Sequence, residues 1–286
     1  METGGALRIV KELFVPEMTI FNISFLYIGV FFANYVTLGK FVLITIAFIS
    51  ARASGLLMNR YIGREYDLKN EKKIKRMASL VVSRNNILVM FFVFAIIFII
   101  TTYFLNFLSF ALSFLVLALF VIDPILKRYT RERHFSIGLI ESFSLMGGYI
   151  GARGAIPNAF GIYVLMLGII FIGSGFDMIV SIIHTKFDRT HRLQTYSSNY
   201  GITNTLKWSL AYHLMASFLI IIFALTTKSY IILIGSFVAV IVLVYEHIDI
   251  NYKTIHSKNL FSRAVTYNSI IGTILLFTII LSRFIV

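Results

Sequence analysis

Two clusters of ionisable and amide side chains interrupt an otherwise apolar chain of 286 residues. The first runs from Arg52 to Arg76 and reads ARASGLLMNRYIGREYDLKNEKKIKR from Ala51. The second runs from Asp177 to Arg192 and begins DMIVSIIHTKFDRTHR. Asn59, Gly63 and Asp67 stand at i, i+4 and i+8, and Asp177, His184 and Asp188 at i, i+7 and i+11. On an α-helix each set shares one face. Aspartate and asparagine oxygens are hard ligands that suit Mg²⁺, which binds through one or two carboxylates plus the phosphates of a substrate. The surrounding Lys and Arg suit phosphate oxygens directly. Two such faces turned toward one polar cavity would make a metal–phosphate site. The same residues also suit solvated charges that anchor helix ends, and spacing alone leaves both readings open.

The elements that must position these groups are membrane spans. The chain is 58% hydrophobic and only 14% charged, against about a quarter charged in soluble domains, and its mean hydropathy is +0.85. So much apolar surface excludes disorder and disfavours a soluble globule. Apolar runs fall at 18–38, 41–58, 87–105, 107–122, 136–152, 160–183, 207–226, 230–247 and 265–284. Runs this continuous are helices rather than barrel strands, which alternate at period two. The sequence therefore predicts an all-α, polytopic protein with nine transmembrane helices. One membrane domain spans residues 1–286, since the remaining residues suffice only for loops. The runs 107–122 and 136–152 are short for a bilayer.

The net charge of +13 comes from 26 Lys+Arg against 13 Asp+Glu. In a soluble protein it would point to nucleic acid; between membrane spans it reads as cationic loops holding one side in the cytoplasm. With a cytoplasmic N-terminus, 21 basic residues fall on the cytoplasmic side, four on the other, and Arg52 within a span. Both clusters then lie on the cytoplasmic side. The N-terminal residues show no cleavage pattern of a signal peptide. The absence of cysteine excludes disulfides and thiolate chemistry. No GxxxxGK[ST] loop and no HExxH occurs. Glu141 and Glu246, in or near spans, read as hydrogen-bonding groups within the bundle.

At these residues the sequence resembles the UbiA superfamily of intramembrane prenyltransferases, above all its 4-hydroxybenzoate polyprenyltransferase-like members. Their first motif is of the type ARxxGMxxNRxxDxxxDxxNPRT; here Ala51 onward reads ARASGLLMNRYIGREYDLKNEKK. Their second resembles GFDxxYAxxDxxFDR; here Gly175–Arg189 reads GFDMIVSIIHTKFDR. LKRYT at Leu126–Thr130 is similar to a KRYT element, with Gly147, Gly148 and Gly151 following, and Tyr245-Glu246-His247 and Tyr267-Asn268 resemble a weaker late signature.

The resemblance implies a nine-helix bundle and a polyprenyl diphosphate bound through Mg²⁺. It also implies an allylic cation attacked by an aromatic acceptor, in a membrane setting with no nucleic acid. Asn59 and Asp67 match the first motif, and Asp177 and Asp188 the second, as catalytic and metal-binding positions. Arg52, Lys72 and Lys127 match basic positions near the diphosphate or acceptor. Arg64 and Arg128 lie close enough to assist, and His184 could meet the diphosphate as a cation. Three positions depart from the pattern. Gly63 replaces the first aspartate of the first motif, His184 replaces an aspartate of the second, and Asp123 stands where a tyrosine is usual. Two classes of function follow: a working prenyltransferase with a modified site, or a relative without turnover that binds an isoprenoid or quinone or serves as a subunit of a membrane complex.

Overall fold

The computed structural model describes residues 16–34, 36–70, 82–255 and 259–285. They form α1 (Pro16–Phe32), α2 (Leu38–Lys69), α3 (Arg84–Leu105), α4 (Phe107–Leu126), α5 (Arg133–Arg153) and α6 (Phe160–Ser181). A 3₁₀ turn (Ile182–His184) leads to the short α7 (Thr185–Thr190), and α8 (Tyr196–Thr227), α9 (Tyr230–Asp249) and α10 (Leu260–Leu281) complete the chain. The described residues contain no strand. Eight helices, α2–α6 and α8–α10, are long and apolar enough to cross a bilayer, and α1 adds a shorter apolar stretch, Thr19–Phe32.

Several helices outrun their hydrophobic runs. The two runs that read as short belong to full spans, because α4 continues through Asp123-Pro124 and α5 begins at Arg133. Their polar ends are buried, which hydropathy does not foresee. With 32 residues, α2 is about 48 Å long against a hydrocarbon core of about 30 Å. Its last turns therefore carry Asn59, Gly63 and Asp67 beyond the apolar layer. In α8 the helix kinks at Gly201, where φ is 78° and ψ is 170°, a backbone region that favours glycine. A reciprocal capping box between Thr195 and Ser198 fixes its start.

The packing order places α5 at the centre. Helices α1, α5, α6, α8, α9 and α10 form a closed circuit in which each packs on the next, and α2, α3 and α4 stack against the other side of α5. α5 and α6 are the most buried of the spans. Lipid tails are as apolar as leucine, so close approach of backbones must bind such helices together. Glycine supplies it: a methyl group on Gly148 of α5 would run into the Leu26 carbonyl of α1, and one on Gly138 into the Ile170 carbonyl of α6.

Three cations outside the main basic belt hold the opposite end of the bundle. Lys40 donates to the Ala152 carbonyl, Arg153 to the Ala33 carbonyl, and Arg283 to the Phe31 carbonyl. They satisfy carbonyls that helix ends leave open, and they sit where the helix dipole is negative.

Neighbouring glycines give a sharp test of this packing. Gly148→Ala forces α1 and α5 apart and is expected to destabilise the fold by about 1–3 kcal/mol, the cost of overpacking. Gly147→Ala meets nothing within 4 Å and is expected to stabilise by up to about 1 kcal/mol through helix propensity. Unfolding in detergent micelles measures both.

Candidate functional site

A cavity of about 430 Å³ opens between α2, α4 and α5, with α1 and α3 closing its sides. Its size suits a small ligand. One end is lined by Arg52, Asn59, Asp123 and Glu141; toward the other lie Ile44, Leu105, Ile150, Ile156 and Met166. Ile137 and Ile150 of α5 both line it, so it follows that helix for about 20 Å. The cavity thus has a polar mouth and an apolar shaft.

The first cluster forms one wall of the mouth. A Cβ placed on Gly63 would lie 3.8 Å from Asn59 Oδ1 and 3.9 Å from Asp67 Oδ2, so the three positions do share a face. The space above Gly63 is open to a side chain. Asp67 is buried and pairs with Arg60 at 3.4 Å. Deeper along α2, Arg52 donates from Nε to Thr19 Oγ1 at 2.8 Å. Its buried Nη2 has no hydrogen-bond partner among the described residues. Glu141 of α5 acts on Arg52 electrostatically, and its carboxylate fits against α6 because Gly173 has no side chain.

The second cluster is divided by the 3₁₀ turn. Asp177 stays on α6, His184 ends the turn, and Asp188 sits on α7. A 3₁₀ turn has three residues per turn rather than 3.6, so the spacing of a single α-helical face does not carry through. Asp188 is 1% exposed and accepts from Lys127 Nζ at 3.0 Å, while its buried Oδ2 has no partner among the described residues. Asp177 is engaged differently. Its Oδ2 accepts from Arg133 Nη1 at 3.3 Å and meets His134 Nδ1 at 2.6 Å. His134 Nε2 accepts from the Tyr196 backbone N–H, so Nδ1 carries the proton and donates to Asp177.

Arg133 reaches further, donating from Nη2 to Asp123 Oδ2 at 3.3 Å. One guanidinium therefore joins the carboxylates of α4 and α6. Neither Arg133 nor His134 was among the sequence candidates. Their signal was present: a cation and an imidazole directly ahead of the apolar run at 136. Counted as a loop charge, Arg133 concealed its role.

The remaining candidates hold the mouth together. Arg128 donates to the Ile62 carbonyl of α2 and lies 5.2 Å from the centre of the Tyr66 ring. The Gln194 backbone N–H donates to the Lys127 carbonyl at 2.8 Å, and His191 meets Tyr66 edge-on. These contacts bring the end of α2 and the α7 region to the α4–α5 turn. Arg64 is half-buried on α2, and Lys72 lies outside the described residues. Glu246 departs from the hydrogen-bonded role read from sequence: neither of its buried oxygens has a hydrogen-bond partner among the described residues.

Removing the central cation should be costly. Arg133→Met leaves Asp123 and Asp177 without their shared guanidinium and is expected to destabilise by about 3–5 kcal/mol, as for other broken buried pairs. Adding Asp123→Asn should recover part of the loss. Unfolding midpoints of the single and double variants measure this.

Comparison with known proteins agrees with the geometry. Residues 22–270 match the model of the UbiA prenyltransferase family. A 118-residue stretch is 32% identical to a 4-hydroxybenzoate octaprenyltransferase of Shewanella pealeana, covering 41% of each chain; the chain thus matches less than half the length of that curated relative. The apo structure of a UbiA homolog from Aeropyrum pernix K1 superposes with a TM-score of 0.81 at 24% identity, covering 91% of this chain and 97% of that one. A UbiA homolog from Archaeoglobus fulgidus bound to GPP and Mg²⁺ superposes with a TM-score of 0.76 at 16% identity, covering 96% and 99%. With the family model spanning most of its length and the same fold in both neighbours, the chain belongs to the UbiA prenyltransferase family.

Proposed function

We propose that this protein transfers a polyprenyl group from a polyprenyl diphosphate to an aromatic or other lipophilic acceptor within the membrane. The observation that carries the reading is the cavity, with an apolar shaft and a mouth that ends among Asn59, Arg52 and Asp123. A long prenyl tail fits the shaft, and its diphosphate belongs at the mouth. The 4-hydroxybenzoate octaprenyltransferase relative and the neighbour bound to GPP and Mg²⁺ support the same assignment.

In the reaction, the bond between the allylic carbon and the diphosphate oxygen breaks, and both electrons leave with oxygen. The π electrons of the acceptor attack the allylic cation, and the acceptor then loses a proton. Charge therefore develops on the leaving diphosphate, and fixed positive groups aimed there lower the barrier. Lys127, held by Asp188, places its ammonium beside the second motif. The Nη2 of Arg52, without a hydrogen-bond partner among the described residues, is suited to an oxygen of the acceptor or the diphosphate. Phe48, Phe98 and Phe120 line the shaft and keep water from the cation.

The oxygen donors fit Mg²⁺ at part of the site. Asp188 Oδ2 is buried and unpartnered among the described residues, and Asn59 Oδ1 and Asp67 Oδ2 face the open space at Gly63. Asp177 fits less well, since its Oδ2 already meets two nitrogen donors. Asn59, Asp67 and Asp188 would hold the ion, which when bound neutralises charge on the leaving diphosphate. A second reading, an isoprenoid- or quinone-binding protein without turnover, is favoured by one observation: two motif carboxylates are absent and a third is committed to Arg133 and His134.

Mg²⁺-dependent pyrophosphate release separates the two readings. The transferase reading expects Asp188→Asn to lower kcat by about 100-fold or more, the scale of losing one charge-stabilising group. Gly63→Asp, which has room, should lower the Mg²⁺ concentration needed for half-maximal rate. Folded protein that releases no pyrophosphate with any chain length or metal supports the binding reading instead.

We also place the mouth and the N-terminus on the cytoplasmic side, on the strength of the 21-to-4 split of basic residues. With no native cysteine, single cysteines report topology directly. Thr190→Cys should react with an impermeant thiol reagent only in inside-out vesicles, and Tyr230→Cys only in right-side-out ones. The reverse pattern would invert the topology.

A further inference from the structure

A second polar cluster lies where α6, α8 and α9 meet, built from residues the mouth does not use. His213 of α8 is 1% exposed and Glu246 of α9 is fully buried, while His247 is half-buried. His247 Nε2 lies 2.9 Å from His213 Nδ1, and Glu246 Oε2 lies 3.3 Å from that same nitrogen. One ligand atom from each residue falls within 4.8 Å of the other two.

The hydrogen bonding around His213 fixes which way its lone pair points. Nε2 lies 3.2 Å from the Ile172 carbonyl. A carbonyl only accepts, so Nε2 carries a proton, and in the neutral ring Nδ1 keeps a lone pair turned toward Glu246 and His247. This is the outer-shell arrangement that orients metal-bound histidines, with one ring nitrogen donating to a carbonyl and the other on the ion. Gly175 of α6 makes the berth, since a methyl group there would run into the imidazole. Ser209 Oγ donates to the Gly175 carbonyl at 2.8 Å and holds α8 against α6 at this level.

With His213 neutral, Glu246 has no positive partner among the described residues. Its carboxylate is withdrawn from water, faces a ring lone pair, and has no hydrogen-bond partner on either oxygen among the described residues. A buried carboxylate without a donor or a cation is strongly disfavoured. We propose that His213 Nδ1, the Glu246 carboxylate and His247 Nε2 form a binding site for a divalent transition metal of the Zn²⁺ class, separate from the diphosphate mouth. Two imidazoles and one carboxylate suit Zn²⁺ or Co²⁺ rather than Mg²⁺, which prefers oxygen. Metal–ligand distances of about 2.0–2.1 Å in a tetrahedron put ligand atoms about 3.3 Å apart, close to the two separations of 2.9 and 3.3 Å. Three protein ligands leave a fourth position for water or a small ligand, and the half-buried His247 offers the way in. A bound ion would clamp α9 to α8. A proton shared among the same three atoms is the alternative that the experiment must separate from it.

The test is Co²⁺ titration of the full chain in detergent after stripping with a chelator, read by the visible d–d absorption of four-coordinate Co²⁺. One Co²⁺ per chain, displaced by Zn²⁺, is the expected result. Glu246→Gln and His247→Gln should each weaken Co²⁺ binding by at least about 100-fold, since loss of an outer-shell partner alone costs 10–100-fold. Asp188→Asn, at the mouth, should leave the spectrum intact. A folded wild-type chain that gives no such spectrum overturns the proposal, whether or not the variants fold. So does a signal that survives Glu246→Gln and His247→Gln, or one lost in folded Asp188→Asn.

Discussion

Burying a charge at the edge of a bilayer costs several kcal/mol unless an opposite charge lies within reach. Arg133 meets that condition for two carboxylates at once. Asp123 on α4 and Asp177 on α6 both accept from its guanidinium, and His134 adds a donor to Asp177. Because Arg133 opens α5, the helix at the centre of the packing, this pairing fixes where the ends of α4, α5 and α6 meet. The neighbouring Lys127–Asp188 pair extends the arrangement to α7. Remove the central guanidinium and the mouth has neither its shape nor its charge balance.

The shaft depends on the same helix for a different reason. Gly148 and Gly138 let α5 press against α1 and α6 on one side. Its other side faces α2 and α4 across the cavity. Close packing on one face and open space on the other follow from where the small residues fall. The length of α2 then carries Asn59 and Asp67 to the polar end of that space. Charge balance at the mouth and backbone contact behind the shaft are thus two demands on one helix.

Much of this was legible in the sequence. Continuous apolar runs of bilayer length gave the helices directly, and the spacing of Asn59, Gly63 and Asp67 gave one shared face, which the open space at Gly63 displays. Hydropathy misjudged the helix ends, because Asp123 and Arg133 are polar residues inside the bundle rather than in loops. The second motif is interrupted by the 3₁₀ turn at Ile182–His184, which changes the phase between Asp177 and Asp188 in a way that spacing alone does not show. The contact of His213 with Glu246 and His247 joins separate helices, and no local spacing announces it. The partner of Asp177 was hidden as well, since a basic residue next to a span is an anchor by default and only packing shows it to be paired.

The proposed transfer requires the cavity between α2, α4 and α5 to hold a prenyl diphosphate with its tail in the shaft. The most direct measurement is a structure of the protein with an unreactive prenyl thiodiphosphate and Mg²⁺. Diphosphate density is expected among Asn59, Asp67, Lys127 and Asp188, with the tail running along α5 past Ile140 and Gly147 toward Ile150. Tail density outside this cavity, or diphosphate density away from those four residues, would contradict it.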